Sequence, residues 1–325
     1  MAEPAILTMT GISKQFPGVK ALDNVDFRLL PGEVHALLGE NGAGKSTLIK
    51  VLTGVYSIDE GTIALEGAPV RFSGPSQAQQ AGISTVFQEV NLCPNLSVAE
   101  NIFIGREPRR FGAVRWQEVR RRAAELLHRL QLDLDVTARL SDYSIAVQQL
   151  VAIARAIDIS PKVLILDEPT SSLDSSEVDE LFRVMKQLRD EGTAILFVTH
   201  FLDQVYEISD RLTVLRNGAL VGEYPLSELP RAELIAKMIG RELDELDALS
   251  HSAGRPIDRT GDAVLRAEGI GRKGVLEPAD LDIYDGEIVG IAGLLGSGRT
   301  ELVRLLYGAD RADSGRIEVR GRTAR

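Results

Sequence analysis

Two short segments carry residue types suited to chemistry on phosphate. Gly39-Glu40-Asn41-Gly42-Ala43-Gly44-Lys45-Ser46-Thr47 follows the apolar run 34–38 and opens a helix-like stretch that ends near residue 52. Glycines at this spacing let the backbone come close to a ligand, so that successive amide N–H groups meet phosphate oxygens where a helix begins. There Lys45 would neutralise the β- and γ-phosphates of a nucleoside triphosphate, and the Ser46 hydroxyl would ligate magnesium. A glycine-rich turn without a ligand is the plainer alternative; the strand before the loop and the helix after it argue against that. The second segment, Val163-Leu164-Ile165-Leu166-Asp167-Glu168, reads as a buried strand tipped by two carboxylates. Open α/β sheets bind ligands at the C-terminal ends of their strands. Asp167 would hold magnesium there, directly or through water, and Glu168 would polarise an attacking water as general base. His200 closes the apolar run 194–198 and would reach a γ-phosphate, while Gln88, just beyond 82–86, would touch both magnesium and water. For His200 or Gln88 alone, a structural role is the simpler reading.

The elements that must position these residues alternate in type. Strand-like runs at 34–38, 82–86, 163–166, 194–198 and 211–215 are interleaved with helical stretches at 44–52, 147–157 and 176–189. This alternation predicts an α/β domain with a mostly parallel sheet. In 116–130, Trp116, Val119, Ala123, Leu126, Leu127 and Leu130 recur at helical spacing, with Arg120-Arg121-Arg122 on or beside the opposite face, as a solvated side.

Much of this pattern occurs twice. Residues 22–67 recur at 276–321 without gaps, at an offset of 276 − 22 = 254, with 14 identities in 46 positions. Gly39, Gly42 and Gly44 fall on Gly293, Gly296 and Gly298, so the chain is a duplication with an incomplete second copy. The expected organisation is a first domain over 1–243, a polar linker over 244–262 and the start of a second domain over 263–325. A fragment of a longer tandem protein is favoured over a truncated product.

Composition narrows the partners. Lys and Arg number 37 against 47 Asp and Glu, a net charge of −10, which argues against a nucleic-acid partner held through its phosphates. The single cysteine, Cys93, excludes a disulfide framework and fits a reducing compartment. No apolar run approaches the roughly 18–20 residues needed to cross a bilayer, and residues 1–9 lack the basic-then-apolar order of a signal peptide. A cytosolic chain is expected, unless another subunit holds it at a membrane.

Taken together, Gly39 to Thr47, Gln88, Val163 to Glu168, Ser171-Ser172-Leu173-Asp174 and His200 resemble, in order and spacing, the Walker A, Q-loop, Walker B, D-loop and H-loop motifs of ABC-type ATPases. The resemblance covers essentially the whole chain. It implies a P-loop NTPase fold, an ABC-type nucleotide-binding domain with a helical subdomain, and hydrolysis of ATP with Mg2+. It also implies that Phe16 stacks on adenine, an exposed aromatic before a turn being the alternative, and that Asp174 and Ser144 contact nucleotide. The finer likeness is to the tandem ATPase subunits of bacterial monosaccharide importers. Phe16-Pro17-Gly18-Val19-Lys20-Ala21-Leu22, Thr199 to Tyr206 and Ala292 to Thr300 look most like the galactofuranose branch, whose relatives carry ribose, xylose or other sugars. From this follow membrane permease subunits, contacted through 116–130 and the stretch after Gln88, and a periplasmic sugar-binding protein. A peripheral place on the cytoplasmic face of the inner membrane and head-to-tail pairing of the two nucleotide-binding domains follow too.

Two stretches depart from the family pattern. Where ABC ATPases carry a signature, usually Leu-Ser-Gly-Gly-Gln, this chain has Tyr143-Ser144-Ile145-Ala146-Val147-Gln148-Gln149. An added Cβ hinders close backbone approach to phosphate, and Val147 offers no side-chain donor. The second loop keeps Gly293, Gly296, Gly298 and Thr300 but has Arg299 in place of lysine, a planar fork instead of a compact ammonium. One hydrolytic site, with Lys45, Asp167, Glu168 and His200, and one weak or regulatory site are therefore expected. Two readings stay open beside the importer. A soluble tandem ABC ATPase acting on ribosomes or nucleic acid should have a long basic linker, whereas 244–261 is short and mixes Asp244, Glu245, Asp247 and Asp258 with Arg255 and Arg259. The other is a module that senses nucleotide without turning it over.

Overall fold

The computed structural model describes residues 4–87, 91–240, 261–293 and 297–323. The chain divides into two units, Met1–Leu246 and Asp247–Arg325. Residues 244–260 of the expected linker lie outside the described residues.

In the first unit the continuous apolar runs become a six-stranded sheet. Its spatial order is β12 (Ala219–Pro225), β11 (Arg211–Arg216), β3 (Val34–Leu38), β10 (Ala194–Val198), β9 (Val163–Asp167) and β6 (Ile83–Val86). The five strands from β11 to β6 run parallel, and the edge strand β12 pairs antiparallel to β11. β3 and β10 are buried at every residue, and β9 is buried up to Leu166. Strands covered on both faces need apolar side chains at successive positions, which accounts for runs in place of alternation. Leu164, Leu166, Ile195 and Phe197 share one core with helices α5 (Ile145–Ile157) and α6 (Ser175–Asp190). Ile165, Leu196 and Val198 share the other with α1 (Lys45–Leu52).

That second core also takes in an antiparallel sheet, ordered β2 (Val19–Leu29), β1 (Leu7–Phe16), β4 (Glu60–Leu65) and β5 (Ala68–Val70). The expectation of a mostly parallel sheet covers the six-stranded layer and misses this one. Its signal is the alternation Val25-Asp26-Phe27-Arg28-Leu29, whose apolar members are buried and whose charged members are exposed.

The helical part is built on α3 (Val98–Phe103) and α4 (Trp116–Arg129), which follows a short hairpin of β7 (Arg109–Arg110) and β8 (Ala113–Val114). Of the apolar stripe predicted in 116–130, Val119, Ala123, Leu127 and Leu130 are buried, Leu126 is half-buried, and Trp116 is 45 % exposed. On the polar side Arg121 pairs with Glu125 at 2.7 Å, whereas Arg122 lies over the Phe103 ring at 4.9 Å. Helices α2 (Pro75–Gln80), α7 (Leu202–Ile208) and α8 (Arg231–Ile239) complete the unit.

The second unit repeats the antiparallel sheet as β14 (Leu276–Ile283), β13 (Leu265–Arg272), β15 (Ser314–Val319) and β16 (Arg322–Thr323), with α9 (Arg299–Tyr307). Leu265 pairs with Ile283 as Leu7 pairs with Leu29. The partners are 283 − 265 = 18 residues apart in one hairpin and 29 − 7 = 22 in the other, so the ungapped repeat begins only after the hairpin turn. Residues 287–293, which align with β3 and its loop, form no strand, and Ile288 is 96 % exposed. β3 is held between β10 and β11; the equivalents of those two strands are not among the 325 residues. Among the described residues no helix is long and apolar enough to cross a membrane.

Candidate active site

The central strand β3 delivers the chain into the glycine loop, and two of its glycines are sterically required. Gly39 has φ +150°, and a Cβ there would lie 2.3 Å from the Leu215 carbonyl oxygen. Gly44 has φ +107°, with a Cβ position 2.8 Å from the Ala21 oxygen. Gly44 caps α1 without any side-chain hydrogen bond, so no capping side chain takes up the first amides of this helix. Within the loop Ala43 N–H donates to Glu40 O at 3.1 Å.

Lys45 folds back over this turn. Its Nζ donates to Gly39 O at 2.7 Å and to Glu40 O at 3.2 Å, which uses both carbonyls to hold the ammonium in place. Burial pushes the Lys45 pKa down, against the pull of the Glu168 and Asp167 carboxylates. Asp167 moves the opposite way: burial raises it, the neighbouring Glu168 charge adds to the rise, and Lys45 and Lys50 oppose it. Two acids and one ammonium thus share a half-buried space.

Sheet register brings the acids and the histidine together. Asp167 is paired with Val198 across β9 and β10, and Glu168 N–H donates to Val198 O at 2.8 Å. Glu168 sits at φ +49°, a left-handed conformation that bends the chain sharply off the strand tip. His200, just beyond β10, places Nδ1 3.4 Å from Glu168 Oε1, and its ring lies 4.1 Å from that of Phe201.

Lys45, Asp167 and Glu168 border a cavity of about 700 Å³, whose lining does not include His200. Asn41, Gly42, Ala43, Gly44, Lys45, Ser46 and Thr47 line it together with Asp167 and Glu168, and Phe16 lines the same cavity. Phe16 is half-buried, edge-on to Tyr56 with ring centroids 5.1 Å apart. Val19, Lys20, Ala21, Val198 and Asn217 also line it and were not singled out by the sequence. The Asn217-Gly218 pair does carry a hairpin signal in sequence, but nothing local says which loop that hairpin meets.

Gly39 and Glu40 support the loop through Lys45 and do not line the cavity. Ser144 and Asp174 stand apart from it as helix caps. Ser144 caps α5, accepting from Val147 N–H, and Asp174 caps α6, accepting from Glu177 N–H at 2.9 Å with the Glu177 side chain reaching back. In the altered signature Ile145 is 56 % exposed and Ala146 is buried. In the second unit α9 begins at Arg299 after Gly298 (φ +85°), with Thr300 in its first turn; Gly293 is exposed and follows no strand. Gln88 and Gly296 lie outside the described residues.

The glycine loop at the end of a central parallel strand, with two carboxylates on a neighbouring strand tip, is the arrangement of a P-loop NTPase. The ABC transporter family model matches residues 22–171 and 276–325. The chain belongs to the ABC transporter family. It is 58 % identical over 317 residues to the galactofuranose transporter ATP-binding protein YtfR of Escherichia coli, covering 98 % of this chain and 63 % of that one. It is 56 % identical to the fructose import ATP-binding protein FruK of Bifidobacterium longum, over 98 % of this chain and 62 % of that one. The ribose import ATP-binding protein RbsA 1 of Rubrobacter xylanophilus is 50 % identical, at 98 % and 62 % coverage. The chain thus spans less than two thirds of the length of these ABC relatives. Among solved structures it resembles a nucleotide-free ATP-binding cassette from an ABC transporter (TM-score 0.62, 29 % identity, 68 % of this chain and 92 % of that one). The ADP conformation of another ABC cassette matches with TM-score 0.64 and 28 % identity, over 75 % of this chain and 99 % of that one. Both the fold and the family expected from the motifs are borne out.

Proposed function

We propose that this chain is the ATP-hydrolysing subunit of a sugar importer, acting on monosaccharide uptake through a separate membrane permease. The carrying observation is the single cavity that gathers Lys45, Ser46, Asp167 and Glu168 with an aromatic wall at Phe16. Its reaction is phosphoryl transfer to water, in which positioning and charge complementarity supply most of the acceleration. Loop amides and Lys45 take the phosphates, Lys45 exchanging its contacts with Gly39 and Glu40 for phosphate oxygens. Phe16 supports the base. Glu168 accepts a proton from the attacking water as the γ-phosphoryl group passes to it and ADP leaves, and His200, beside Glu168, orients the carboxylate and reaches the γ-phosphate.

The residues fit magnesium: the Ser46 hydroxyl and the Asp167 carboxylate share the cavity, and the burial that raises Asp167 is the kind a divalent cation relieves. No group of three His, Cys, Asp or Glu that could hold a metal ion occurs among the described residues. When bound, magnesium would neutralise charge on the β- and γ-phosphates.

The same proposal takes 1–243 as a complete nucleotide-binding domain, 244–262 as a linker and 263–325 as the beginning of a second domain, the two working head to tail. Ser144 and Asp174 then act on nucleotide held by the paired domain, and the altered signature and Arg299 weaken one of two sites. The permease and a periplasmic sugar-binding protein are its partners, with the chain peripheral on the cytoplasmic face of the inner membrane. The names of the relatives support a sugar as cargo, galactofuranose first among them.

The test is ATP turnover by the assembled transporter, with candidate sugar-loaded binding proteins added singly. Stimulation by the galactofuranose-loaded partner is expected. Turnover indifferent to every sugar, yet raised by ribosomes or nucleic acid, would overturn the importer reading and leave the ATPase.

A further inference from the structure

We propose that Asn217 contacts the nucleoside half of the bound nucleotide, an inference that rests on the nucleotide reading of the cavity. Asn217 and Gly218 form the two-residue turn between β11 and β12, with φ +51° and +79°, the left-handed pair that a tight hairpin requires. The turn is fastened on two sides. Gly218 N–H donates to Ala43 O of the glycine loop at 3.1 Å, and Gly218 O accepts from Asp23 N–H at 2.8 Å. A Cβ on Gly218 would lie 2.8 Å from the Ala21 oxygen, so the turn presses against the segment that carries Val19, Lys20 and Ala21.

Asn217 is therefore held on the cavity wall it shares with Val19, Lys20 and Ala21. Of these, only Lys20 and Asn217 have polar side chains. The Lys20 ammonium is paired with Asp23. The Asn217 carboxamide is exposed at the cavity and has no hydrogen-bond partner among the described residues. A carboxamide offers both donors and an acceptor. A nucleoside presents both kinds of partner, on the base edge and on the ribose hydroxyls, whereas a triphosphate tail presents acceptors already served by the loop amides and Lys45. An asparagine here also serves the turn itself, since Asn tolerates positive φ; the two roles are separable by experiment.

Asn217→Gly keeps the turn, because glycine adopts positive φ freely, and removes only the carboxamide. Binding of ATP and of inorganic tripolyphosphate, each with magnesium, is measured on the 325-residue chain and its variant, with a thermal melt to establish folding. The expected result is an ATP Kd raised about threefold to tenfold, the scale of one hydrogen bond, with tripolyphosphate binding unchanged. Unchanged ATP affinity in Asn217→Gly would overturn the inference. So would a parallel loss of ATP and tripolyphosphate, which would mean that the turn acts through the glycine loop. A folded wild-type chain that binds neither ligand would overturn the nucleotide reading itself, and one that binds both with equal affinity would overturn only the nucleoside contact.

Discussion

At the residue scale the site depends on atoms that cannot be added and charges that cannot be spared. Gly39→Ala puts a Cβ 2.3 Å from the Leu215 oxygen at a φ that only glycine adopts without strain. It should cost about 2 kcal/mol or more of stability, read as a lower denaturation midpoint, and should weaken ATP binding with it. Lys45→Ala should raise the Kd for ATP on the order of 10- to 100-fold, since hydrogen bonds to a charged group are lost while the fold is kept. The depressed Lys45 pKa gives this a pH signature. An ammonium held below the ordinary 10.5 loses its proton sooner as pH rises, and phosphate binding favours the protonated form. ATP affinity should therefore fall with rising pH before 10.5 is reached, and titration of ATP binding at alkaline pH checks it. Most of these residues were legible in the sequence, because glycine spacing, a lysine at a helix start and paired acids after an apolar run are local signals. Asn217, Lys20 and Val198 were not; only folding brings them to the cavity wall.

At the element scale, the parallel sheet does the positioning. Five neighbouring strands, buried or nearly so, put the glycine loop, Glu168 and His200 along one edge, and their apolar runs announced them. The antiparallel sheet escaped notice because its alternation of apolar and polar residues is interrupted by register shifts at Met9, Ile12 and Lys14. Phe16, at the end of β1, was found by its neighbours in sequence and could not be placed by periodicity. Ser144 and Asp174 show how one residue serves two readings, since each is a sound helix cap whatever it does for nucleotide. Asp174→Ala should lower Tm by a few degrees through loss of the α6 cap. Hydrogen bonds from Glu177 N–H and Ser176 hold the Asp174 carboxyl below 3.8. Its contribution is thus complete above the unfolded value and lost as pH falls through the lower folded one. The gap in Tm between wild type and variant should close under acid conditions, a result that thermal melts across that range will register.

At the scale of the whole molecule, duplication was visible because glycines are kept where turns need them, as at Gly54, Gly61 and Gly67 against Gly308, Gly315 and Gly321. In the first copy β3 lies between β10 and β11 and carries the glycine loop at its end. The altered residues Ile145, Ala146 and Arg299 lead to the central claim, that ATP hydrolysis runs through Glu168 alone. The most direct measurement is ATP turnover by Glu168→Gln in the protein with both domains complete. The account predicts loss of nearly all turnover, by at least 100-fold on the scale of a removed general base, with ATP binding retained. Substantial remaining hydrolysis would contradict it and return the reaction to the second site.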